Sequence, residues 1–314
     1  MPCEKPISRR KTLWALAAPL AMAPTASGQS GSVTVGVATT DFRDQTNSSL
    51  AEELKSQGVR VIQLFFTQKD SNYWRYGEVA DLTGISPQRA KEIADVYRSA
   101  GISIQALGVY ATLIHSDPGE RRKHLAYFDA MMKVGGHMGV RTCLSEMGHY
   151  HPPGPAPGVS YDWQDEVWKT AVATGKELAR VADGNGATVL LEPIYRSLLA
   201  SAKLTRLYLE EVGSPHVRAQ LDPANLLEVN DLEEMFQQLK PWIGGIHAKD
   251  RKFHVTDGVA AGKGDLDYSK FVRLAALHAP GIPLIVEYAG TGQYREALAH
   301  LRNAIRQAGL RETL

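Results

Sequence analysis

The sequence has few cysteines, no apolar run of membrane-spanning length and no excess of either charge. Among its 314 residues are two cysteines, Cys3 and Cys143, and Lys plus Arg number 35 against 34 for Asp plus Glu. The low cysteine count excludes a small disulfide-rich scaffold, and a net charge of +1 without a basic stripe argues against nucleic acid as a main partner. With 44% hydrophobic and 22% charged residues, the composition predicts a soluble protein with a large core.

The N-terminal segment has the pattern of an export signal. Its apolar stretch, residues 13–23 (LWALAAPLAMA), is too short to span a bilayer, follows the basic pair Arg9 and Arg10, and precedes small residues. Paired arginines are typical of twin-arginine signals. We expect residues 1–28 to be removed and residues 29–314 to form a catalytic domain without a membrane segment, located in the periplasm or outside the cell. A membrane anchor and an unprocessed cytoplasmic protein are the alternatives.

From residue 33 onward, short β-branched segments alternate eight times with longer segments of helical periodicity. The predicted strands are residues 33–40, 59–66, 102–110, 140–147, 187–192, 217–222, 243–247 and 282–287. The predicted helices begin near residues 48, 86, 120, 162, 202, 232, 268 and 294. No glycine-rich phosphate turn follows the first strand, and the composition does not change along the chain. The pattern therefore predicts an α/β fold, a single closed (β/α)8 TIM barrel, rather than an open doubly wound sheet.

Four consecutive predicted strands end in an ionisable residue after an apolar run: Glu192, Asp222, His247 and Glu287. In a barrel of this kind the active site lies at the C-terminal ends of the strands. Charges that meet there would repel one another unless a cation lay among them. Three carboxylates and one imidazole suit a divalent ion of the Mn²⁺, Mg²⁺ or Co²⁺ kind, whereas Zn²⁺ more often takes thiolates or several histidines. The sequence predicts one divalent metal ion, with Mn²⁺ as the first choice.

These residues and their neighbours resemble the xylose isomerase-like barrel superfamily of sugar (phosphate) isomerases and epimerases. The shared positions are Glu192-Pro193, Asp222-Pro223 with Asn225, the HAKD segment at 247–250, the GKGDL segment at 262–266, and Glu287-Tyr288. The resemblance implies that Glu192, Asp222, His247 and Glu287 bind one metal ion, and that the two glutamates also transfer a proton as an acid/base pair. It further implies that Lys249 contacts substrate oxygens or a neighbouring carboxylate. Dimers are common in this family, so a homodimer is a further expectation.

The chemistry implied by this resemblance is proton transfer next to a carbonyl through an enediolate. Chelation of a carbonyl and the adjacent hydroxyl by a metal acidifies the C–H between them, and carboxylates on both faces then allow epimerisation. Proton return to the neighbouring carbon gives aldose–ketose isomerisation instead. A divalent-metal-dependent sugar isomerase or epimerase is therefore the leading prediction. A lyase or hydratase acting on a keto-sugar or keto-glycoside, and a non-catalytic carbohydrate-binding barrel, are the alternatives.

Two departures from the family pattern narrow the range of candidate substrates. Ketohexose 3-epimerases carry a His three residues after the metal Asp and an Arg six residues after the metal His, where this sequence has Asn225 and Phe253. This argues against a free ketohexose as substrate. The abasic-site endonuclease branch has several more His ligands, so a nuclease is also disfavoured. An exported enzyme meets few phosphorylated sugars, so we expect a free sugar, a keto-glycoside or a cyclitol.

Other residues in the predicted catalytic-face loops are candidates for substrate binding. His149 and His151 lie in a Pro- and Gly-rich loop after the fourth strand, where either could donate to a sugar hydroxyl or act as an acid. His115 follows the third strand. Arg196 follows the fifth strand and could bind an anionic group. Trp74 lies in an aromatic segment after the second strand, where it could stack on a sugar ring.

Overall fold

The structure is a computed structural model that describes residues 31–151 and 160–313. The predicted export signal at 1–28 and the tip of the Pro- and Gly-rich loop lie outside these residues. The strands are β1 Ser32–Val33, β2 Val35–Ala38, β3 Val61–Leu64, β4 Ser103–Gly108, β5 Thr142–Ser145, β6 Thr188–Leu191, β7 Val217–Leu221, β8 Ile243–Ala248, β9 Asp250–Arg251, β10 Gly258–Val259, β11 Leu284–Val286 and β12 Arg311–Glu312. The helices are α1 Asn47–Ser56, α2 Pro87–Ser99, α3 Pro118–Met138, α4 Asp165–Gly184, α5 Ala202–Val212, α6 Pro223–Leu226, α7 Leu232–Leu239, α8 Tyr268–His278 and α9 Tyr294–Gln307. No helix in the described part of the chain is both long and apolar enough to cross a membrane.

Eight of the strands close into a parallel barrel in the order β11-β2-β3-β4-β5-β6-β7-β8. Their sequences are nearly continuous apolar runs, because each strand is covered by the barrel interior on one face and by helices on the other. Along the chain, β2 is the first and β11 the last of these strands. The barrel closes where these two pair, with Val37 of β2 opposite Val286 of β11. This confirms the predicted TIM barrel.

Seven of the nine described helices begin at a residue whose side chain accepts from a free backbone N–H of the first turn, and α4 and α9 have no such cap. Ser86 accepts from the N–H of Arg89 at the start of α2, and Pro87 occupies the first helical position, where no N–H is needed. Ser201 caps α5 and Asp231 caps α7 in the same way. These caps fix the first residues of the helices, and α5, α7 and α8 begin at the predicted residues.

Short elements at the barrel ends have no counterpart among the predicted segments. β1 and β12 form a parallel pair, with Ser32 opposite Arg311. β9 and β10 form an antiparallel pair beyond the C-terminal end of β8, and α6 is a single turn after β7. Elements of two to four residues carry too little periodicity to be recognised in a sequence.

A layer of glutamine side chains lies inside the barrel, below its C-terminal mouth. The amide nitrogen of Gln63 on β3 donates to Oε1 of Gln105 on β4 at 3.0 Å and to Oε1 of Gln220 on β7 at 3.2 Å. Gly245 on β8 leaves room for this layer, because a Cβ atom there would lie 1.9 Å from Gln220 Oε1. The layer forms a polar floor for the residues at the barrel mouth.

Candidate metal centre

The four ionisable residues at the strand ends meet at the barrel mouth. Glu192 follows β6, Asp222 follows β7, His247 lies in β8 and Glu287 follows β11. One ligand atom from each lies within 4.8 Å of those of the other three, and all four side chains are buried. We call these residues the quartet. The structure thus brings together the four predicted ligands, whose role in metal binding stays a prediction.

The donor atoms of the quartet fit a divalent cation. Asp222 uses Oδ1 to accept the N–H groups of Ala224 and Asn225 at the start of α6, at 2.8 and 3.4 Å. Among the described residues, its Oδ2 and Oε2 of Glu287 have no hydrogen bond of ordinary geometry. The Lys249 ammonium lies 2.7 and 3.2 Å from these two oxygens. Three buried carboxylates and one imidazole are the hard, oxygen-rich donors that Mg²⁺ and Mn²⁺ take.

The orientation of His247 is set from below by the glutamine layer. Nε2 of His247 lies 2.8 Å from Oε1 of Gln63. Because the amide nitrogen of Gln63 already donates to two other glutamines, its oxygen faces the imidazole, and Nε2 must carry the hydrogen. Nδ1 then points into the quartet, 3.0 Å from Glu192 Oε1 and 3.6 Å from Glu287 Oε2. A metal-binding histidine needs this arrangement, in which the other ring nitrogen is held by a hydrogen bond.

The pKa values of the two glutamates move in opposite directions. Burial alone would raise the pKa of Glu192, but His247, Lys249 and Tyr110 lower it to about 2. Burial raises the pKa of Glu287 against the opposing effect of His247 and Lys249. Burial would lower the pKa of His247, but the two glutamates raise it to about 9. The two glutamates therefore differ in acidity, because His247 and Lys249 outweigh burial at Glu192 but not at Glu287.

Two side chains besides His247 hold Glu192 in place. The Tyr110 hydroxyl donates to Oε2 at 2.6 Å, and the Asn225 amide donates to Oε1 at 2.9 Å. Tyr110 itself has a left-handed backbone, with φ of 50°, as does Tyr288 with φ of 55°. A left-handed backbone conformation costs a bulky residue about 1–3 kcal/mol, and residues in such conformations cluster at functional sites. Both tyrosines border the quartet, since the Lys249 ammonium lies 4.5 Å from the Tyr288 ring centroid.

A cavity of about 160 Å³ adjoins the quartet on the side of β4 and β5. Its polar and aromatic lining includes Tyr76, Tyr110, His115, Glu146, His149 and His151. Nδ1 of His149 lies 2.9 Å from Oδ2 of the buried Asp162, whose Oδ1 accepts the N–H of Tyr150 at 2.7 Å. The hydrogen bond with Asp162 raises the pKa of His149. The three histidines predicted to bind substrate therefore share one cavity, and their role there stays a prediction.

The other predicted substrate-binding residues lie in three different settings. Lys249 lies against two members of the quartet, Asp222 and Glu287. Arg196 is exposed and lies over the Tyr195 ring, 5.3 Å from its centroid. Trp74 is only 4% exposed and packs edge-on against Tyr110, with ring centroids 5.9 Å apart. Trp74 thus packs behind the cavity wall that Tyr110 forms, and its role in substrate binding stays a prediction.

Sequence reasoning missed three residues of the site: Gln63, Tyr110 and Glu146. The segment TCLSE that ends in Glu146 has the same form as TVLLE, which ends in Glu192. The predicted strand 140–147 extended past Glu146, which hid its position at a strand end. Tyr110 is the last residue of the predicted third strand. Gln63 stands out only as a polar residue within an apolar strand.

The sequence model of the family described as xylose isomerase-like TIM barrel matches residues 51–304. No curated protein matches the chain by sequence. Solved structures of similar fold include the 3-keto-D-glucoside 4-epimerase from E. coli, with a TM-score of 0.67, 16% identity and coverage of 86% of this chain and 99% of that one. The probable 3-DHS dehydratase from Bacillus anthracis has a TM-score of 0.67, 16% identity and coverage of 87% and 98%. A xylose isomerase-like TIM barrel protein from Mycobacterium smegmatis in complex with magnesium has a TM-score of 0.64, 14% identity and coverage of 88% and 97%.

Proposed function

Because the chain belongs to the xylose isomerase-like TIM barrel family, we propose that it is a divalent-metal-dependent sugar isomerase or epimerase. The observation that carries the proposal is the order of the quartet along the barrel rim. Glu192 on β6 and Glu287 on β11 are the outer members, and Asp222 on β7 and His247 on β8 lie between them. Two carboxylates are thereby held on either side of one position, as a proton transfer between two faces of a substrate requires.

The residues that would hold the ion are Glu192, Asp222, His247 through Nδ1, and Glu287. A bound divalent ion, with Mn²⁺ as our choice, would supply Lewis acidity that draws electrons from a carbonyl and the adjacent hydroxyl. The Lys249 ammonium, 2.7 Å from Asp222, adds a fixed positive charge against which the enediolate form of the substrate is stabilised.

Glu192 and Glu287 carry out the proton transfer. One glutamate removes the proton from the carbon next to the carbonyl, and the other returns a proton. Return to the opposite face of the same carbon gives an epimer, and return to the neighbouring carbon gives an aldose–ketose isomer. Tyr110 and Asn225 hold the Glu192 carboxylate in place through both steps, which keeps the carboxyl oxygens within reach of the substrate carbon.

The proposed substrate is an unphosphorylated sugar or keto-sugar. The cavity beside the quartet offers hydroxyl, carboxyl and imidazole groups and two tyrosine rings, which suit sugar hydroxyls and ring faces. Export by a twin-arginine signal and assembly into a homodimer are parts of the same proposal, supported by the N-terminal sequence and by the family respectively.

Proton exchange with solvent tests this function directly. The full chain with added Mn²⁺ in D₂O is mixed with ketoses, keto-glycosides and inososes and followed by proton NMR. We expect metal-dependent loss of the C–H signal next to the carbonyl on at least one substrate. Glu287→Gln should keep the fold by circular dichroism and lose the exchange by at least about 10²-fold. Glu177→Gln, an exposed change on α4, is the matched control and should behave as wild type.

Two results would contradict the proposal. Full exchange activity in Glu287→Gln would exclude this glutamate as a base. Absence of exchange on every substrate, in a protein shown by calorimetry to bind Mn²⁺, would favour the non-catalytic carbohydrate-binding alternative.

A further inference from the structure

Glu146 is a third glutamate at the barrel mouth, outside the quartet. Ser145 of β5 pairs in register with Leu191 of β6, and the N–H of Glu192 donates to the Ser145 carbonyl at 2.9 Å. Glu146 and Glu192 therefore occupy the same position on adjacent strands. Neighbouring parallel strands lie about 4.8 Å apart, and residues at equivalent positions point to the same side. Both carboxyl groups consequently face the interior of the mouth.

The Glu146 carboxyl is held at one oxygen only. The Tyr76 hydroxyl donates to its Oε2 at 2.7 Å. Within residues 31–151 and 160–313, no hydrogen bond reaches Oε1, and Glu146 lines the 160 Å³ cavity. One oxygen is thus fixed while the other can meet a ligand. Burial and the negative charge of Glu192 raise the pKa of Glu146 to about 7 despite the Tyr76 hydrogen bond and Lys249.

The cavity and the quartet share a wall. Tyr110 lines the cavity, and its hydroxyl donates to Glu192 Oε2 at 2.6 Å. Its ring lies beside that of Tyr76, with centroids 5.6 Å apart. A substrate carbon placed between the two quartet glutamates therefore has Glu146 on its flank, where substituents of the neighbouring carbons would lie.

Epimerisation at one carbon is complete with two bases and leaves a third carboxyl acid without a role. Expulsion of a poor leaving group does require such an acid. We propose that Glu146 is a catalytic acid which protonates the oxygen leaving from the carbon β to the carbonyl, so that the protein also catalyses elimination from keto-glycosides. This inference rests on the proposed enolisation by the quartet.

The step is balanced without any oxidant or reductant. A quartet glutamate takes the proton from the α carbon, and the electron pair of that C–H bond becomes the new C=C bond. The C–O bond at the β carbon breaks, and the oxygen keeps its electron pair and takes the proton of Glu146. The products are an alcohol and an unsaturated keto-sugar, and Glu146 is left as a carboxylate.

Substrates whose leaving groups differ in acidity distinguish a role of Glu146 in acid catalysis from a role in binding. Two probes serve, a methyl and a 4-nitrophenyl keto-glucoside whose carbonyl lies two carbons from the anomeric carbon. Methoxide leaves only with a proton, whereas 4-nitrophenoxide leaves without one. With full chain and Mn²⁺, we expect Glu146→Gln to lower kcat on the methyl probe by about 10²–10⁴-fold. Its loss of kcat on the 4-nitrophenyl probe should be at least about 10-fold smaller, because that leaving group departs without a proton.

Several outcomes would overturn the inference. Equal losses on both probes would mean that Glu146 has only a structural role, and no loss on the methyl probe would mean that it has none in catalysis. His149→Gln showing the selective loss in place of Glu146→Gln would assign the acid to the His149–Asp162 pair. Exchange without release of methanol in wild type would reject the inference and leave the isomerase proposal standing. Absence of exchange in wild type would reject both.

Discussion

Gln63 accepts a hydrogen bond from Nε2 of His247 at 2.8 Å, although the two residues are 184 positions apart in the sequence. The contact crosses the barrel interior from β3 to β8 and depends on the glutamine layer, which fixes which end of the Gln63 amide faces the imidazole. The direction of His247 Nδ1 is therefore decided by residues that do not touch the quartet's centre.

Loss of the Gln63 side-chain amide should weaken metal binding. In Gln63→Leu the imidazole has no acceptor below it, so its tautomer and ring angle are no longer fixed. We expect the affinity for Mn²⁺, measured by calorimetry on the full chain, to fall by about 10–100-fold. Gln88→Leu, an exposed change on α2, is the control. An unchanged affinity in Gln63→Leu would show that the barrel holds His247 by packing alone.

Removal of the Lys249 cation should make folding depend on metal. Lys249 is 4% exposed and lies against the carboxylates of Asp222 and Glu287. Loss of one partner of a buried charge cluster typically costs about 3–5 kcal/mol. We expect metal-free Lys249→Met to lose that much free energy of unfolding by urea titration, and saturating Mn²⁺ to raise its Tm more than that of wild type. Lys176→Met, exposed on α4, is the control. The same Mn²⁺-induced rise in both proteins would contradict the expectation.

The pairing of His149 with Asp162 should be visible in the titration of the imidazole. The hydrogen bond raises the pKa of His149 above 6.5, whereas burial acts in the opposite direction. The stabilising contribution of this pair is fully present below pH 6.5 and is lost as the pH rises through the raised pKa. We expect Asp162→Asn to lower the His149 pKa measured by NMR, and Asp165→Asn on α4 to leave it unchanged. A His149 pKa that is the same in Asp162→Asn would disprove the pairing.

Two glycines should respond in opposite ways to alanine. A Cβ atom at Gly245 would lie 1.9 Å from Gln220 Oε1 and 2.9 Å from Leu190 Cδ1, so the glutamine layer would have to shift. We expect Gly245→Ala to lose about 1–3 kcal/mol of unfolding free energy and to bind Mn²⁺ more weakly. No atom lies within 4 Å of a Cβ at Gly184 in α4. Gly184→Ala should therefore gain up to about 1 kcal/mol, and a loss there equal to that of Gly245→Ala would contradict this account.

The barrel could be predicted because each of its parts leaves a local trace in the sequence. Strands such as β6 are mostly apolar and buried, and helices such as α5 and α7 begin at a Ser or Asp cap. The quartet could be predicted for a related reason, since an ionisable residue directly after an apolar run marks the end of a barrel strand. Glu146 obeys this rule as well and was hidden only by a strand end placed two residues too far.

Residues that act across the barrel left no such trace. The contact between Gln63 and His247 depends on barrel closure, which no local pattern encodes. The role of Trp74 depends on the fold in the same way, because an aromatic segment in a loop has the same sequence whether its rings face a substrate or pack behind a wall. The structure separates these cases, since Tyr76 is 60% exposed and Trp74 is 4% exposed.

The pairing of β2 with β11 affects how the barrel folds during synthesis. The ribosome synthesises β2 well before β11, so the edge of β2 that pairs with β11 is at first unpaired. The β1–β12 pair joins residues even further apart in the sequence. An unpaired strand edge is prone to pair with other chains. Until β11 has been synthesised, the nascent barrel carries that open edge, and its yield in a cell should depend on chaperones that cover it.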